Sequence, residues 1–400
     1  MKLVLLLWVV INLTGCSAVQ TAKDSVHRFA YGLIGGKDNA TPPKKLTDYE
    51  PAVTIDVLWE KQVGAGVDDQ ALGLALAVSD DLIYSAGSQG VVEALSLQFG
   101  TVAWLRETGF SISAGIALGR DNLFFGTHDA QIVALNRDNG VTAWVAQVTS
   151  EVLASPVVSE GLVVVRTIDG KVIAFDEISG KQRWIFERSV PALSIRGNGQ
   201  PVIDSGRVFI GFADGRMVAL QLQSGKNLWD ASLAIPSGRT QIERLVDLDT
   251  DPIIIDDVIY IASYQGGTSA VLTIDGDLIW ANEDVSSYSR ISHDWRYLYL
   301  SDTESNVWQL DQRTGGSLWK QSDLHMRRLT APAVYQDYVL VGDFEGYVHW
   351  FSSDDGRQLG RIQATDEAII APPQVKNNIV YVYGSGGSVV ALKAYPVGVN

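Results

Sequence analysis

Tryptophan recurs along this chain at intervals that leave few folds open. Trp59, Trp104, Trp144, Trp184, Trp229, Trp280 and Trp319 are separated by 45, 40, 40, 45, 51 and 39 residues. Self-similarity at a period of about 40–45 residues marks a propeller, with one four-stranded sheet per repeat. Counting back 28 residues from each Trp after the first gives the anchors Leu76, Ile116, Pro156, Pro201, Pro252 and Ile291, and the series continues at Pro332 and Pro373. Eight anchors predict eight blades. The seventh unit keeps the spacing but holds Gly360 where Trp is expected.

The unit has internal punctuation. Gly stands 14 residues after the anchor at Gly90, Gly170, Gly215, Gly266, Gly346 and Gly387, with Ala130 and Ser305 as exceptions. Tight hairpin turns need positive φ, which Gly adopts without strain. A second Gly recurs 24 residues after the anchor, from Gly100 to Gly356, before the Trp-bearing strand. Ala recurs at position 18 (Ala94, Ala134, Ala174, Ala219, Ala270, Ala391), where a small residue would let a neighbouring ring approach closely. Apolar runs such as 162–165 and 258–261 are short and suit strands buried on both faces.

The eighth unit would carry its Trp at position 401, past the last residue, so its outer strand must come from elsewhere. Val57-Leu58-Trp59-Glu60 has the form of Leu228-Trp229-Asp230 and is the expected donor. The expected fold is therefore all-β. It is an eight-bladed β-propeller of four-stranded antiparallel blades over residues 51–400, its last blade closed by the N-terminal strand.

The first residues read as targeting. Lys2 precedes an apolar run over residues 3–13, broken only by Asn12. That run is too short for a membrane-spanning helix of about 20 residues and fits the core of a signal peptide. It ends in Leu13-Thr14-Gly15-Cys16, which resembles a bacterial lipobox. The resemblance implies a signal peptide over 1–15, a lipidated Cys16 and, from Ser17 in place of Asp, an outer-membrane address. An ordinary secretory signal with an incidental Cys is the alternative. Residues 16–50 contain Gly35-Gly36 and Pro42-Pro43 with little strand pattern, and are expected to form a flexible tether reaching about 30–35 Å.

Composition removes several classes. Cys16 is the only cysteine, so no internal disulfide forms. A net charge of −15 argues against nucleic acid, whose phosphates need a basic surface. His27, His128, His293, His325 and His349 show no ligand spacing. Residues 247–251 imitate the start of a calcium loop, but Pro252 and Val258 stand where Gly and Glu are required. Neither a nucleophile elbow nor a phosphate-binding loop occurs. No cofactor, metal or catalytic residue is expected.

Residues 134–144 (ALNRDNGVTAW) and 174–184 (AFDEISGKQRW) resemble the tryptophan-docking repeat of pyrroloquinoline-quinone-type propellers. Fold does not fix function. Within that fold, the lipobox, the size and the segments 193–197 (LSIRG) and 242–249 (IERLVDLD) resemble the BamB family, propeller lipoproteins of the outer-membrane β-barrel assembly machinery. The resemblance implies a non-enzymatic scaffold on the periplasmic side of the outer membrane that contacts a POTRA domain of a BamA-like central subunit. Leu193, Ile195, Arg196, Asp247 and Asp249 are then the contact candidates, with Ile195 replacing a Leu frequent in the family. Nascent outer-membrane proteins are a further candidate partner.

Spacing singles out the same segments. The steps from each Trp position to the next anchor are 17, 12, 12, 17, 23, 11, 13 and 13 residues. Two of the long ones, before Pro201 and Pro252, fall in consecutive repeats and should project side by side on one face. Plainer roles stay open for each residue. Leu193 and Ile195 could fold onto the rim. Arg196 could be solvated or could pair with Asp247 or Asp249, and the two Asp residues could cap turns. Two other functions also stay open, a quinone-dependent dehydrogenase and an envelope-polymer-binding lipoprotein. The acidic balance and the missing pair of adjacent cysteines count against the dehydrogenase.

Overall fold

Eight four-stranded antiparallel sheets follow one another along the protein in a computed structural model that describes residues 41–67, 74–191, 199–235, 246–248 and 250–397. The chain divides into two units, Met1–Pro42 and Pro43–Asn400, and the propeller is the second. No helix occurs among the described residues. The first blade holds Ala77–Val78, Leu82–Ala86, Val91–Ser96 and Val102–Glu107, from the innermost strand outward. The same order repeats through the seventh blade, Ala333–Tyr335, Tyr338–Gly342, Tyr347–Ser352 and Gln358–Gln363. Middle strands are covered on both sides by neighbouring blades. All five residues of Leu162–Arg166 are buried, for example. Outer strands such as Asn227–Ser232 alternate exposed and half-buried positions, as one-sided packing requires.

The ring closes as the repeat predicts. Strand Val53–Gln62 pairs antiparallel with Ser388–Pro396, the third strand of the eighth blade, and Trp59 lies opposite Ala391. Trp104 opposite Ala94, Trp144 opposite Ala134 and Trp184 opposite Ala174 show the same register. The position-18 Ala is therefore the cross-strand partner of the docking Trp. The Trp ring leans onto the position-24 Gly of the next blade. At Gly180, with φ of +68°, a Cβ would lie 2.6 Å from the Trp144 ring, so this turn needs both the left-handed backbone and the missing side chain. Each of six indoles also donates to a carbonyl of the next blade, from Trp184 to Leu222 at 2.7 Å up to Trp319 to Ser353 at 3.1 Å. Blade packing is thus both apolar and directional.

Two features of the packing were not anticipated. Tyr84, Phe124, Phe209, Tyr260, Tyr299 and Tyr381, each eight residues after its anchor, sit 5.6–6.1 Å from the Trp of their own blade. Such aromatic pairs add about 0.5–1.5 kcal/mol beyond burial. In the turns, Ala130 and Ser305 adopt the left-handed φ of the Gly they replace (56° and 66°), and in the fifth blade Gly267, not Gly266, takes that role.

The segment before the first strand is part of the body. Lys44 donates its backbone N–H to the His325 carbonyl at 3.0 Å and pairs through Nζ with Asp323 at 2.8 Å. Arg327 Nη1 donates to the Lys44 carbonyl at 3.2 Å, and Arg361 Nη1 donates to Thr47 at 3.3 Å while its guanidinium covers the Tyr49 ring. Leu46 packs beside Leu324 and Leu329. These contacts lie within the stretch up to residue 50 that the sequence assigns to the tether.

Candidate functional site

Strand alternation decides which loops share a face. The turn between the second and third strands and the connector from an outer strand to the next blade leave at the same end of each sheet. The two long connectors therefore emerge together with turns such as 212–215 and 264–266.

Of the sequence-derived candidates, Leu193, Ile195, Arg196 and Asp249 lie outside the described residues, as does Cys16. Asp247 is described and is buried at 3% exposure between the buried Val246 and Leu248. Its carbonyl accepts the Tyr264 N–H at 3.1 Å, while Leu248 N–H donates to the Phe212 carbonyl at 3.2 Å. Thr250 Oγ1 donates to the Ala262 carbonyl at 2.6 Å. The end of the second connector is thereby sewn to the turns beneath it.

The two connectors meet at their ends. Gln200, which closes the first, donates its backbone N–H to Asp251 Oδ1, which closes the second, at 2.7 Å. Arg166 Nη1 donates to the neighbouring Gly199 carbonyl at 3.3 Å. Burial pushes the Asp251 carboxyl above the usual carboxylate range, against the Gln200 N–H and the charges of Arg290 and Arg166. Two guanidiniums approach the Phe212 ring, Arg166 at 5.3 Å and Arg188 at 5.4 Å from its centroid. Arg188 is held in turn by Asp214 and Asp230, at 2.7 and 2.8 Å. Charge-assisted bonds of this kind fix side-chain direction as well as adding energy.

Sequence reasoning missed Gln200, Asp251, Arg166 and Phe212. A signal existed for two of them. The residue just before the anchor is Ala75, Gly115, Ser155, Ala331 or Pro372 in five repeats, but Gln200, Asp251 and Arg290 in three consecutive ones.

A central cavity of about 660 Å³ is lined by innermost strands, with Asp204, Asp256, Arg290 and His293 as its ionisable groups. Among the described residues no three His, Cys, Asp or Glu side chains converge on a metal position.

Repeat, docking tryptophans and strand closure define an eight-bladed propeller of the tryptophan-docking class. The family model described as outer membrane protein assembly factor BamB matches residues 88–321 and 309–395. An outer membrane protein assembly factor BamB from Pseudomonas aeruginosa is 42% identical over 376 residues, covering 93% of this chain and 99% of the relative. The chain belongs to the BamB family of outer membrane protein assembly factors. The crystal structure of BamB from Moraxella catarrhalis superposes with a TM-score of 0.77 at 28% identity, over 85% of this chain and all of that one. A europium-containing methanol dehydrogenase superposes with a TM-score of 0.70 at 12% identity, over 85% of this chain and 93% of that one, which is a likeness of fold alone.

Proposed function

We propose that this chain is a non-enzymatic scaffold subunit of the outer-membrane β-barrel protein assembly complex. It is anchored in the outer membrane by lipid on Cys16, faces the periplasm, and supports insertion of outer-membrane proteins. It binds the POTRA region of a BamA-like protein through the two long connectors, with Leu193 and Ile195 as apolar anchors, Arg196 and Asp249 as orienting charges, and the buried Asp247 seating the end of the second connector on the turns beneath it. Interface energy concentrates in a few central residues, and surrounding charges set orientation and encounter rate. Family membership supports the assembly role. The observation that carries the site is the 2.7 Å bond from Gln200 to Asp251, because it joins the ends of two connectors from consecutive blades.

Affinity capture through the tagged full chain from detergent-solubilised membranes tests the reading. The BamA-like protein should co-purify, and Cys16→Ala should leave the chain unprocessed or soluble. Capture without that protein, together with dye reduction that depends on added quinone and calcium, would replace the scaffold with a dehydrogenase.

A further inference from the structure

Beside the end of the second long connector, the fifth- and sixth-blade turns carry two arginines and two tyrosines on the loop face, and one of the arginines lines the central cavity. Arg290 lines the cavity and is exposed. Arg328, also exposed, acts by its charge on the Tyr288 phenol, with Tyr264 close by. Tyr288 is 51% exposed. Among the described residues neither guanidinium makes a hydrogen bond or ion pair, although the chain carries 46 carboxylates against 31 Lys and Arg. Arg188, Arg216 and Arg327 on the same face are all held by carboxylates. Arg328 also holds a left-handed backbone, φ 51°, which is costly for a long side chain and collects at binding and switching sites.

The position of the patch matters as much as its chemistry. Arg290 is the third member of the series Gln200, Asp251, Arg290 that precedes consecutive anchors, and its charge acts on Asp251. The connectors of blades four, five and six thus form one arc on the loop face. Tyr and Arg are the side chains most enriched where interface energy concentrates. Two exposed cations on this face, Arg328 near the half-exposed Tyr288 phenol and Arg290 at the cavity wall, complement a carboxylate-bearing segment even with Asp302 close to the phenol.

We propose that Tyr288, Arg290 and Arg328 form a second contact on the loop face, fitted to an acidic segment of the same protein partner that docks on the long connectors. The inference rests on that docking. A protein carboxylate suits the site better than a membrane surface, because two cations on a chain of net charge −15 give little attraction to an anionic bilayer.

The test is binding of the purified full chain to the periplasmic region of the BamA-like partner, at low and high salt. Arg290→Glu with Arg328→Glu should weaken binding about tenfold or more at low salt, the loss narrowing as salt screens it. Tyr288→Ala should weaken binding at both salts. Leu193→Ala with Arg196→Ala is the companion variant. Weakening by both sets supports the second contact. Weakening by the connector variant alone overturns the second contact and leaves the docking site standing. A wild-type chain that does not bind overturns both. Binding of the wild-type chain, but not the glutamate variant, to vesicles rich in anionic lipid would assign the patch to lipid and overturn the proposal. If the glutamate variant unfolds, Arg290→Gln with Arg328→Gln takes its place, with the same outcomes.

Discussion

Trp350 and Gly360 face each other across the third and fourth strands of the seventh blade, the reverse of the Ala–Trp pair found in blades such as the third. The large side chain has moved to the third strand, where it is fully buried. The space left beyond Gly360 is filled by Val53 and Ile55 of the closing strand. A Cβ on Gly360 would lie 2.4 Å from Val53 Cγ2. Gly360→Ala should therefore destabilise the ring by about 1–3 kcal/mol, and adding Val53→Ala should recover part of that loss. Urea denaturation of the two single variants and the double variant checks the coupling, and additive effects would disprove the contact.

The Trp59 indole nitrogen is buried and donates to nothing, unlike the six docking indoles that follow it. The corresponding carbonyl, Leu97, instead accepts the Tyr381 hydroxyl at 3.1 Å. Tyr381→Phe should thus cost little, since Trp59 can take over the vacated acceptor. Tyr383→Phe, which strips the Ala86 carbonyl of its 3.2 Å partner, should cost about 1 kcal/mol. Thermal unfolding of both variants decides, and an equal loss would show that Trp59 does not move in.

Glu93 lies buried beside the segment that passes from the closing strand to the first blade. Burial raises its carboxyl above the ordinary 4.5, against the Gly64 N–H and the Lys61 charge. A folded-state value above the unfolded one means that stability is fully present below the unfolded value. It is lost as pH rises through the folded one. Glu93→Gln should accordingly raise the melting temperature at pH 7, and the difference should shrink towards zero as pH falls below 4.5. A Gln variant no more stable than wild type at pH 7 would contradict this.

Arg327 joins the N-terminal strap to the blade body. It is 3% exposed and bonds Asp343, itself fully buried, and Glu345, as well as the Lys44 carbonyl. Removing one partner of a buried ion pair leaves the other uncompensated and costs about 3–5 kcal/mol. Arg327→Ala should show that loss in denaturation and should also speed protease cutting within residues 44–52. Unchanged cutting would mean that the strap is held by other contacts.

The blade count, the closing strand and the docking role of Trp were legible because each follows from a residue repeated at one register. Cross-strand partners such as Ala391 opposite Trp59 were half legible: the small residue was visible, its partner was not. The aromatic eight residues past the anchor escaped notice because Tyr and Phe alternate there and Val164 and Leu340 interrupt the series. The exchange of Trp350 and Gly360 showed only as a missing Trp, since compensation across two strands leaves no local pattern. At the candidate site, connector length revealed the two loops, but Gln200 and Asp251 bond only through the fold. Asp247 reads as an exposed acidic residue in sequence, and its burial depends on turns 17 residues or more away in the chain.

The central claim is that the two long connectors bind the POTRA region of a BamA-like partner. Titration calorimetry of the full chain against that region measures it most directly, with Leu193→Ala plus Arg196→Ala, Asp247→Ala and Asp249→Ala as separate variants. The melting temperature of each should be recorded alongside, above all for the buried Asp247. The account predicts that the Leu193–Arg196 pair and Asp249→Ala each weaken binding by at least about tenfold, roughly 1.4 kcal/mol, while unfolding stays close to wild type. Wild-type affinity in every variant would place the partner elsewhere on the propeller and contradict the claim.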